Sequence, residues 1–365
     1  MPRIVIYAGD GVGPEVVAET VKVLTAVERR FGQSFDLESH AIGGEALDRF
    51  GVPVRAEDIE ATRHAGAALL GAVGGPKWDA VEPSLRPERG LLQIRKELEL
   101  FANLRPVGVL SALAASSPLK PEIITDVDLL VVRELTGGIY FGEPSRRWTD
   151  ERGRAAVDTL IYREHEIERV VRLAFELARS RRRRVTSVDK SNVLQSSRLW
   201  REIVNEVSAE FGDVQLEHVL VDAMAMHLIK NPRAFDVVVT ENMFGDILTD
   251  EASVLSGSIG LLPSASLSDQ VGDAPGTRFG LYEPIHGSAP DIAGRGKANP
   301  AGAILSAALM LRWSFALDAA AAAIERAVAD TIAAGLRTPD IAREGIRPVN
   351  TSQFGDEVAR RIEAA

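Results

Sequence analysis

Short β-branched runs and longer segments with apolar residues at helical spacing take turns along this chain. RIVIY, DLLVV, RRVTSV and FDVVVT have the length and residue types of buried strands, whereas VVAETVKVLTAV and LWREIVNEV repeat their apolar positions with the period of a helix. That alternation predicts an α/β protein, in which strands feed helices that pack back onto a sheet. EIERVVRLAFELARS reads as a further amphipathic helix, and the alanine-rich stretch from Ala316 to Ala334 reads as helix rather than linker. The sequence holds no low-complexity segment and no internal repeat.

Length refines this picture. A chain of 365 residues with 45% hydrophobic content can bury a sizeable core and is long enough for two lobes. Leu104-Arg105-Pro106 and Gly257-Ser258-Ile259-Gly260 are the turn-rich candidates for boundaries. They would assemble one lobe from both chain ends, 1–104 plus 258–365, around a central lobe of 105–257.

Charge and cysteine content then remove whole classes of function. A net charge of -10 argues against a nucleic-acid carrier, because phosphate backbones are met by basic surfaces. The dense run Arg181 to Arg184 closes an amphipathic stretch, where cations suit the negative end of a helix dipole, and is expected to be a solvated helix terminus. With 0 Cys there is no disulfide, thiolate metal site or cysteine nucleophile, so a metal must use oxygen or histidine ligands. That composition suits a reducing cytoplasm. The opening MPRIVIYAGDGVG lacks a charged-then-apolar leader, and no apolar run approaches the ~18 residues of a membrane span, so a cytosolic protein without a membrane partner is expected.

The first chemical candidate is the turn GDGVGPE from Gly9, which offers most of a dinucleotide fingerprint but places Pro14 where the third glycine belongs. Proline fits the first turn of a helix, so an ordinary Rossmann phosphate loop is not expected here. A second glycine cluster, EPIHGSAPDIAG from Glu283 to Gly294, combines flexible backbone, a flat histidine and an aspartate that can meet ribose and adenine; a polar surface loop is the alternative. Asp246 and Asp250 would project from one face of a helix and repel each other unless a cation sits between them. Asp222, after the strand-like HVLV, adds an oxygen ligand at a strand end, where α/β ligand sites lie. Hard oxygen ligands point to magnesium or manganese, and the alternative is an exposed, solvated helix face. Arg95, Arg105 and Arg133 each adjoin a predicted element end and offer forked guanidinium groups to a dicarboxylate, with surface ion pairing as the alternative. Lys190 in SVDKSN and Tyr140 in GGIYFG are open in the same way.

Eight ordered motifs, spread over nearly the entire chain, resemble one family. They are GDGVGPEV, GAVGGPKWD, RPERGLLQIRKELELFANLRP, RELTGGIYFGEP, VTSVDKSNVL, VDAMAMHL, ENMFGDILTDEAS and EPIHGSAPDIAG. The family is that of the isocitrate/isopropylmalate dehydrogenases, β-hydroxyacid oxidative decarboxylases, and the LTGGIYFG wording is that of its isopropylmalate branch. The resemblance implies an open α/β sheet with helices on both sides, split by a cleft into a cofactor lobe from both termini and a central lobe for substrate, metal and dimerisation. It implies a homodimer with shared active sites and NAD-dependent conversion of (2R,3S)-3-isopropylmalate to 4-methyl-2-oxopentanoate and carbon dioxide, a step of leucine biosynthesis.

The implied roles are carried over residue by residue. Arg95, Arg105 and Arg133 would clamp the malate carboxylates, and Asp222, Asp246 and Asp250 would hold magnesium or manganese, with Asp222 and Lys190 reaching across from the second subunit. Asp222 also counts among the substrate contacts. Tyr140 and Lys190 match the acid/base pair. Leu91 and Leu92, with Val193 of the neighbouring subunit, would cover an isopropyl group, whose burial stabilises by ~1.5 to 3 kcal/mol. His286, Gly287, Ser288, Ala289, Pro290 and Asp291 would line the adenosine with Asn299 nearby, and Glu88 would approach the nicotinamide. Asp291 would accept from ribose hydroxyls and repel a 2′-phosphate, selecting NAD over NADP. One departure is SLSDQVGDAPGTRFGLYEP, read as a loop longer than the family norm. Competing readings are a tartrate or D-malate dehydrogenase of the same fold and a non-catalytic ligand-binding paralogue. A magnesium-dependent phosphate enzyme would need a G-x-x-x-x-G-K-[ST] loop, which the chain lacks.

Overall fold

The computed structural model describes residues 1–365 apart from Asp273, Pro275, Glu344, Ala365 and the side chain of Ala115. It divides into two compact units, the first made of Met1–Leu100, Leu110–Pro118 and Ser256–Ala365, the second of Phe101–Val109 and Leu119–Leu255. Along the chain, the first unit opens with β1 (Arg3–Gly9), α1 (Gly13–Phe31), β2 (Asp36–His40), α2 (Gly43–Phe50), α3 (Ala56–Arg63), β3 (Ala67–Ala72) and α4 (Glu88–Glu97). The second unit contains β4 (Ala102–Gly108), the single turn α5 (Pro121–Ile124), β5 (Asp128–Glu134), and a two-stranded arm of β6 (Arg146–Asp150) and β7 (Gly153–Val157). It continues through α6 (Glu164–Arg179), β8 (Arg184–Asp189), α7 (Gln195–Ser208), β9 (Gln215–Leu220), α8 (Val221–Lys230), β10 (Val237–Thr240) and α9 (Asn242–Ser253). The chain then returns to the first unit with β11 (Pro263–Val271), β12 (Arg278–Pro284), α10 (Ala301–Trp313), α11 (Asp318–Ala333) and α12 (Thr351–Ala364).

In the first unit the strand order is β2-β1-β3-β12-β11, parallel except for the β11–β12 hairpin. Alternation along β1 explains one core: Val5 and Tyr7 join Ile42, Ile59, Ile94 and Leu281 in a fully buried cluster beneath α2, α3 and α4. The Tyr7 hydroxyl donates to the Asp58 carbonyl at 3.0 Å, so a ring whose burial stabilises by about 1.5–3 kcal/mol leaves no buried polar group unmet. Ile4 and Ile6, also buried, turn to the opposite face. Helix α1 packs against both α10 and α12, α11 bridges the same two, and α1 and α10 also meet strands of this sheet.

In the second unit the order is β4-β5-β10-β8-β9, with β5, β10, β8 and β9 parallel and β4 antiparallel to β5. Val237 to Thr240 is buried at every position, the pattern of a parallel strand covered on both faces. Helix α6 pairs with α7 and α8 with α9, each contacting the sheet.

Three sequence expectations need correcting or completing. Leu104-Arg105-Pro106 is not a turn but lies inside β4, where Arg105 opposes Val131 and Pro106 opposes Leu130; the expected boundary and the element end next to Arg105 are both displaced. The backbone excursion of Leu110–Pro118 into the first unit has no compositional mark. The basic run follows the end of α6 at Arg179 and Arg182 to Arg184 are exposed, as expected of a solvated helix end, but its first two arginines also tie strand ends together. Arg181 binds the buried carboxylate of Asp236 at 2.8 Å and Asp128 at 2.8 Å, and Arg182 donates to the Phe235 carbonyl. Finally, SLSDQVGDAPGTRFGLYEP is mostly the β11–β12 hairpin rather than a loop; Asp273 and Pro275 within it lie outside the described residues. Among the described residues, no helix is long and apolar enough to cross a membrane.

Candidate functional site

Four parallel strands of the second unit end at one edge, and the chemistry collects there. Arg133 lies near the end of β5 beside Thr240 of β10, Glu241 follows β10, Lys190 follows β8, and Asp222 enters α8 just after β9. Carboxyl edges of parallel strands are where open α/β sheets place ligands, because loops and helix starts converge there. Across the antiparallel pair, Asn103 sits directly opposite Arg133, and Arg105 lies two residues on, so all three point to one face. The Arg105 side chain is fixed on Asn103 Oδ1 at 2.7 Å.

Helix α9 covers that face. Arg133 is 4% exposed, and its Nε and Nη2 both donate to Asn242 Oδ1 at 3.0 and 2.8 Å, while Nη1 donates to Asp246 Oδ1. Tyr140, in a tight turn after β5, donates its hydroxyl to the other oxygen, Asp246 Oδ2, at 2.9 Å, and its ring faces the Arg133 guanidinium at 5.8 Å. Burial, reinforced by the bond to Asp246, raises the Tyr140 pKa above that of an ordinary phenol, so the hydroxyl keeps its proton. One helical turn on from Asp246, Asp250 exposes its carboxylate on the same face.

Lys190 and Asp222 meet each other, Nζ to Oδ1 at 2.6 Å, and this hydrogen bond pulls the Asp222 pKa below the usual carboxylate range. Among the described residues no three acidic or histidine side chains gather within one chain as a metal would require, so Asp222 does not join Asp246 and Asp250 of its own chain. Asp246 and Asp250 nonetheless fit a hard divalent cation, since both offer carboxylate oxygens and neither is sealed from solvent.

In the first unit, Glu88, Leu91, Leu92 and Arg95 share one face of α4 by their spacing. Arg95 donates through Nη2 to Glu283 Oε1 at 2.6 Å, both side chains being nearly buried, and its buried Nε has no partner among the described residues. A buried donor left without a partner costs about 1–3 kcal/mol. Leu91 packs against the core cluster, so one of the two leucines is partly structural, whereas Leu92 does not belong to that cluster. Glu88 is exposed in the first turn.

The glycine-rich turn after β1 supports another segment of the same unit. Val12 N donates to the Ser288 carbonyl at 2.8 Å, and Glu15 accepts from the backbone of Gly294 and Gly296, so the segment 288–296 occupies the start of α1. Gly11 is required there: it has φ +62, and a Cβ would stand 1.9 Å from the Ser288 carbonyl oxygen. Within the segment, Ala289 adopts φ 38, a left-handed strain typical of ligand-binding backbone. Burial lowers the His286 pKa, so the ring is neutral; Nδ1 sits 2.9 Å from the Gly287 carbonyl, which assigns it the hydrogen, and Nε2 is left as a buried acceptor with no partner among the described residues. A donor such as an adenine amino group suits it. Pro290 and Asp291 are exposed, Gly287 is open to solvent, and Asn299 spends its side chain on Ala301 N and Asp340, capping α10.

Several residues of this arrangement escape a sequence reading. Asp10 is buried and accepts from Gly44, Glu45 and Gly74 backbone N–H groups, fixing the loops around the first unit's sheet edge. Glu283 and Asn242 stand inside recognisable motifs, but nothing in the motifs names their arginine partners.

Buried guanidinium groups that face carboxylates suit an enzyme handling a small polyanion. The chain belongs to the isocitrate/isopropylmalate dehydrogenase family, whose model matches residues 3–358. It is 58% identical over 360 residues to the 3-isopropylmalate dehydrogenase of Geobacillus kaustophilus, covering 99% of this chain and 95% of the relative. It is 56% identical over 361 residues to that of Carboxydothermus hydrogenoformans, covering 99% and 94%. Among solved structures it is similar to the isocitrate dehydrogenase of Methylococcus capsulatus, with a TM-score of 0.87, 34% identity and full coverage of both chains. The fold is thus shared by enzymes of different substrates, and the identity is higher with the isopropylmalate enzymes.

Proposed function

We propose that the chain catalyses NAD-dependent oxidative decarboxylation of (2R,3S)-3-isopropylmalate to 4-methyl-2-oxopentanoate and carbon dioxide, in leucine biosynthesis. The observation that carries this reading is the joining of Arg133, Tyr140 and Asp246 at the carboxyl edge of the second unit's sheet, beside Arg105. The relatives at 54–58% identity carry the same name, which favours this substrate over isocitrate, tartrate or D-malate.

In this reading Arg105 and Arg133 hold one end of the malate, and Arg95 supplies a third guanidinium. Asp246, Asp250 and Asp222 would hold magnesium or manganese, which supplies Lewis-acid polarisation of the C2 oxygen and a carboxylate. His286, Gly287, Ser288, Ala289, Pro290 and Asp291, with Glu88 and Asn299 nearby, would hold NAD, which would supply the hydride acceptor for C2. Lys190, acting through water, would accept the C2 hydroxyl proton. The bond from C3 to its carboxylate then breaks, carbon dioxide departs, and Tyr140 protonates C3 of the resulting enolate. Leu92 and Val193, the latter 62% exposed, meet the isopropyl group, with Leu91 behind.

The working form is proposed to be a homodimer in which Lys190, Val193 and Asp222 serve the partner's site. Support comes from the separation of Asp222 from its own chain's Asp246 and Asp250, and from exposed apolar side chains on α8 and α9, Met226, Ile229 and Ile247. The absence of cysteine fits a cytoplasmic setting.

The test follows NADH absorbance with magnesium and NAD on 3-isopropylmalate, isocitrate, D-malate and tartrate in parallel, with chelator and NADP controls. A preference for isopropylmalate by orders of magnitude, abolished by chelator, is expected. Equal rates on unbranched malates would favour the tartrate/D-malate reading, and inertness toward all four would favour a ligand-binding paralogue. Mixing inactive Lys190→Ala and Asp250→Asn proteins should restore activity if sites are shared.

A further inference from the structure

We propose that Asn242 and Gly245 are positioning residues for Arg133, which together hold its guanidinium in the one orientation in which it meets Asp246 and the reacting acid. The proposal rests on the reading of Arg133 as a carboxylate anchor.

The geometry is specific. Asn242 is 1% exposed, and every polar group it carries into the interior has a partner. Its Oδ1 accepts from Nε and Nη2 of Arg133, its Nδ2 donates to the Gly137 carbonyl at 3.2 Å, and its backbone N–H donates to the Tyr162 hydroxyl at 2.8 Å. The Gly137 bond fixes which way the amide faces: its nitrogen meets a carbonyl, so its oxygen must meet the arginine. With Nε and Nη2 engaged, the guanidinium plane cannot rotate, and Nη1 is directed at Asp246. The neutral acceptor Asn242 fixes the direction in which the guanidinium meets the Asp246 carboxylate, which an ion pair alone does not.

Gly245 supplies the space. A Cβ there would lie 2.6 Å from Arg133 Cγ, 2.8 Å from Cβ and 3.1 Å from Cδ, so the arginine stem crosses α9 only because this position has no side chain. The atoms in conflict are those nearest the Arg133 backbone, on a buried strand, and cannot swing away as a flexible tip would. Glycine inside α9 is unfavourable for the helix, so its use here needs a packing reason, and the Arg133 stem is that reason.

Asn242→Ala and Gly245→Ala are compared with Arg133→Gln and with Asn242→Ala/Arg133→Gln by steady-state kinetics, with thermal unfolding measured on each. The Asn242→Ala protein should show a KM for 3-isopropylmalate raised by about 10- to 100-fold, the range for a hydrogen bond to a charged group, with the KM for NAD unchanged. Gly245→Ala, which favours helix, should show the same selective rise, and serves if Asn242→Ala folds poorly. The double variant should be no worse than Arg133→Gln alone, since both substitutions remove one function. The proposal is overturned if both variants leave the isopropylmalate KM at the parent value while Arg133→Gln raises it, or if the effects of Asn242→Ala and Arg133→Gln simply multiply. If Arg133→Gln itself leaves that KM unchanged, the carboxylate-anchor reading fails, and the positioning role with it.

Discussion

Tyr140 donates its phenolic hydrogen to Asp246 Oδ2 at 2.9 Å, which makes the proposed proton donor and a proposed metal ligand direct neighbours. Tyr140→Phe removes the proton but keeps the ring beside Arg133. Its kcat should fall about 100- to 10,000-fold with the KM for isopropylmalate little changed. Because protonation follows hydride transfer, rapid mixing should reveal a burst of NADH in this variant. A fall in the burst rate itself would place Tyr140 in the earlier step.

The two leucines of α4 should separate into a structural and a selective residue. Leu91 packs on the first unit's core, so Leu91→Ala is expected to lower stability by about 1–3 kcal/mol. Leu92→Ala should leave the unfolding midpoint almost unmoved yet reduce the preference for isopropylmalate over 3-methylmalate by about 10-fold or more. Equal loss of stability in both would assign the pair to the core.

Asp291 should govern the nucleotide. Asp291→Asn removes the charge that opposes a 2′-phosphate, and the ratio of kcat/KM for NAD over NADP should drop at least about 10-fold. An unchanged ratio would move the discriminating group elsewhere.

Glu241 gives a stability prediction. It opens α9, is 2% exposed, accepts from Ser197, and faces Asp189, Glu134 and Tyr162. Burial pushes its pKa from 4.5 up to about 7. The folded state therefore holds a proton that the unfolded state has released. Its stabilising contribution is complete below pH 4.5 and is lost as the pH rises to about 7. Denaturant unfolding should show the parent losing up to ~3 kcal/mol across that window relative to Glu241→Gln, whose amide cannot ionise. Parallel curves for the two proteins would mean that Glu241 ionises freely.

Much of this protein is legible before folding. The strands RIVIY, DLLVV, RRVTSV and FDVVVT and the helices α1, α6, α7 and α11 follow from local periodicity, since each element's burial pattern is written in its own residues. Pro14 excluded an ordinary phosphate loop, and the chain indeed fills the start of α1 with its own segment 288–296. The Asp246–Asp250 spacing and the strand-end placement of Lys190 are likewise local facts. What only the tertiary structure decided is which groups face each other across long sequence gaps. Arg133 meets Asn242 and Asp246, and Arg95 meets Glu283, through the register of β4 and β5, the seating of α9 and the closing of β12 onto β3. The Arg181–Arg184 run shows the same limit: its charge favours a solvated helix end, but the Asp236 carboxylate it meets comes from another element. Local propensity acts over a few residues, while the direction of a buried guanidinium depends on partners more than a hundred residues away, whose positions are set by packing of the whole sheet.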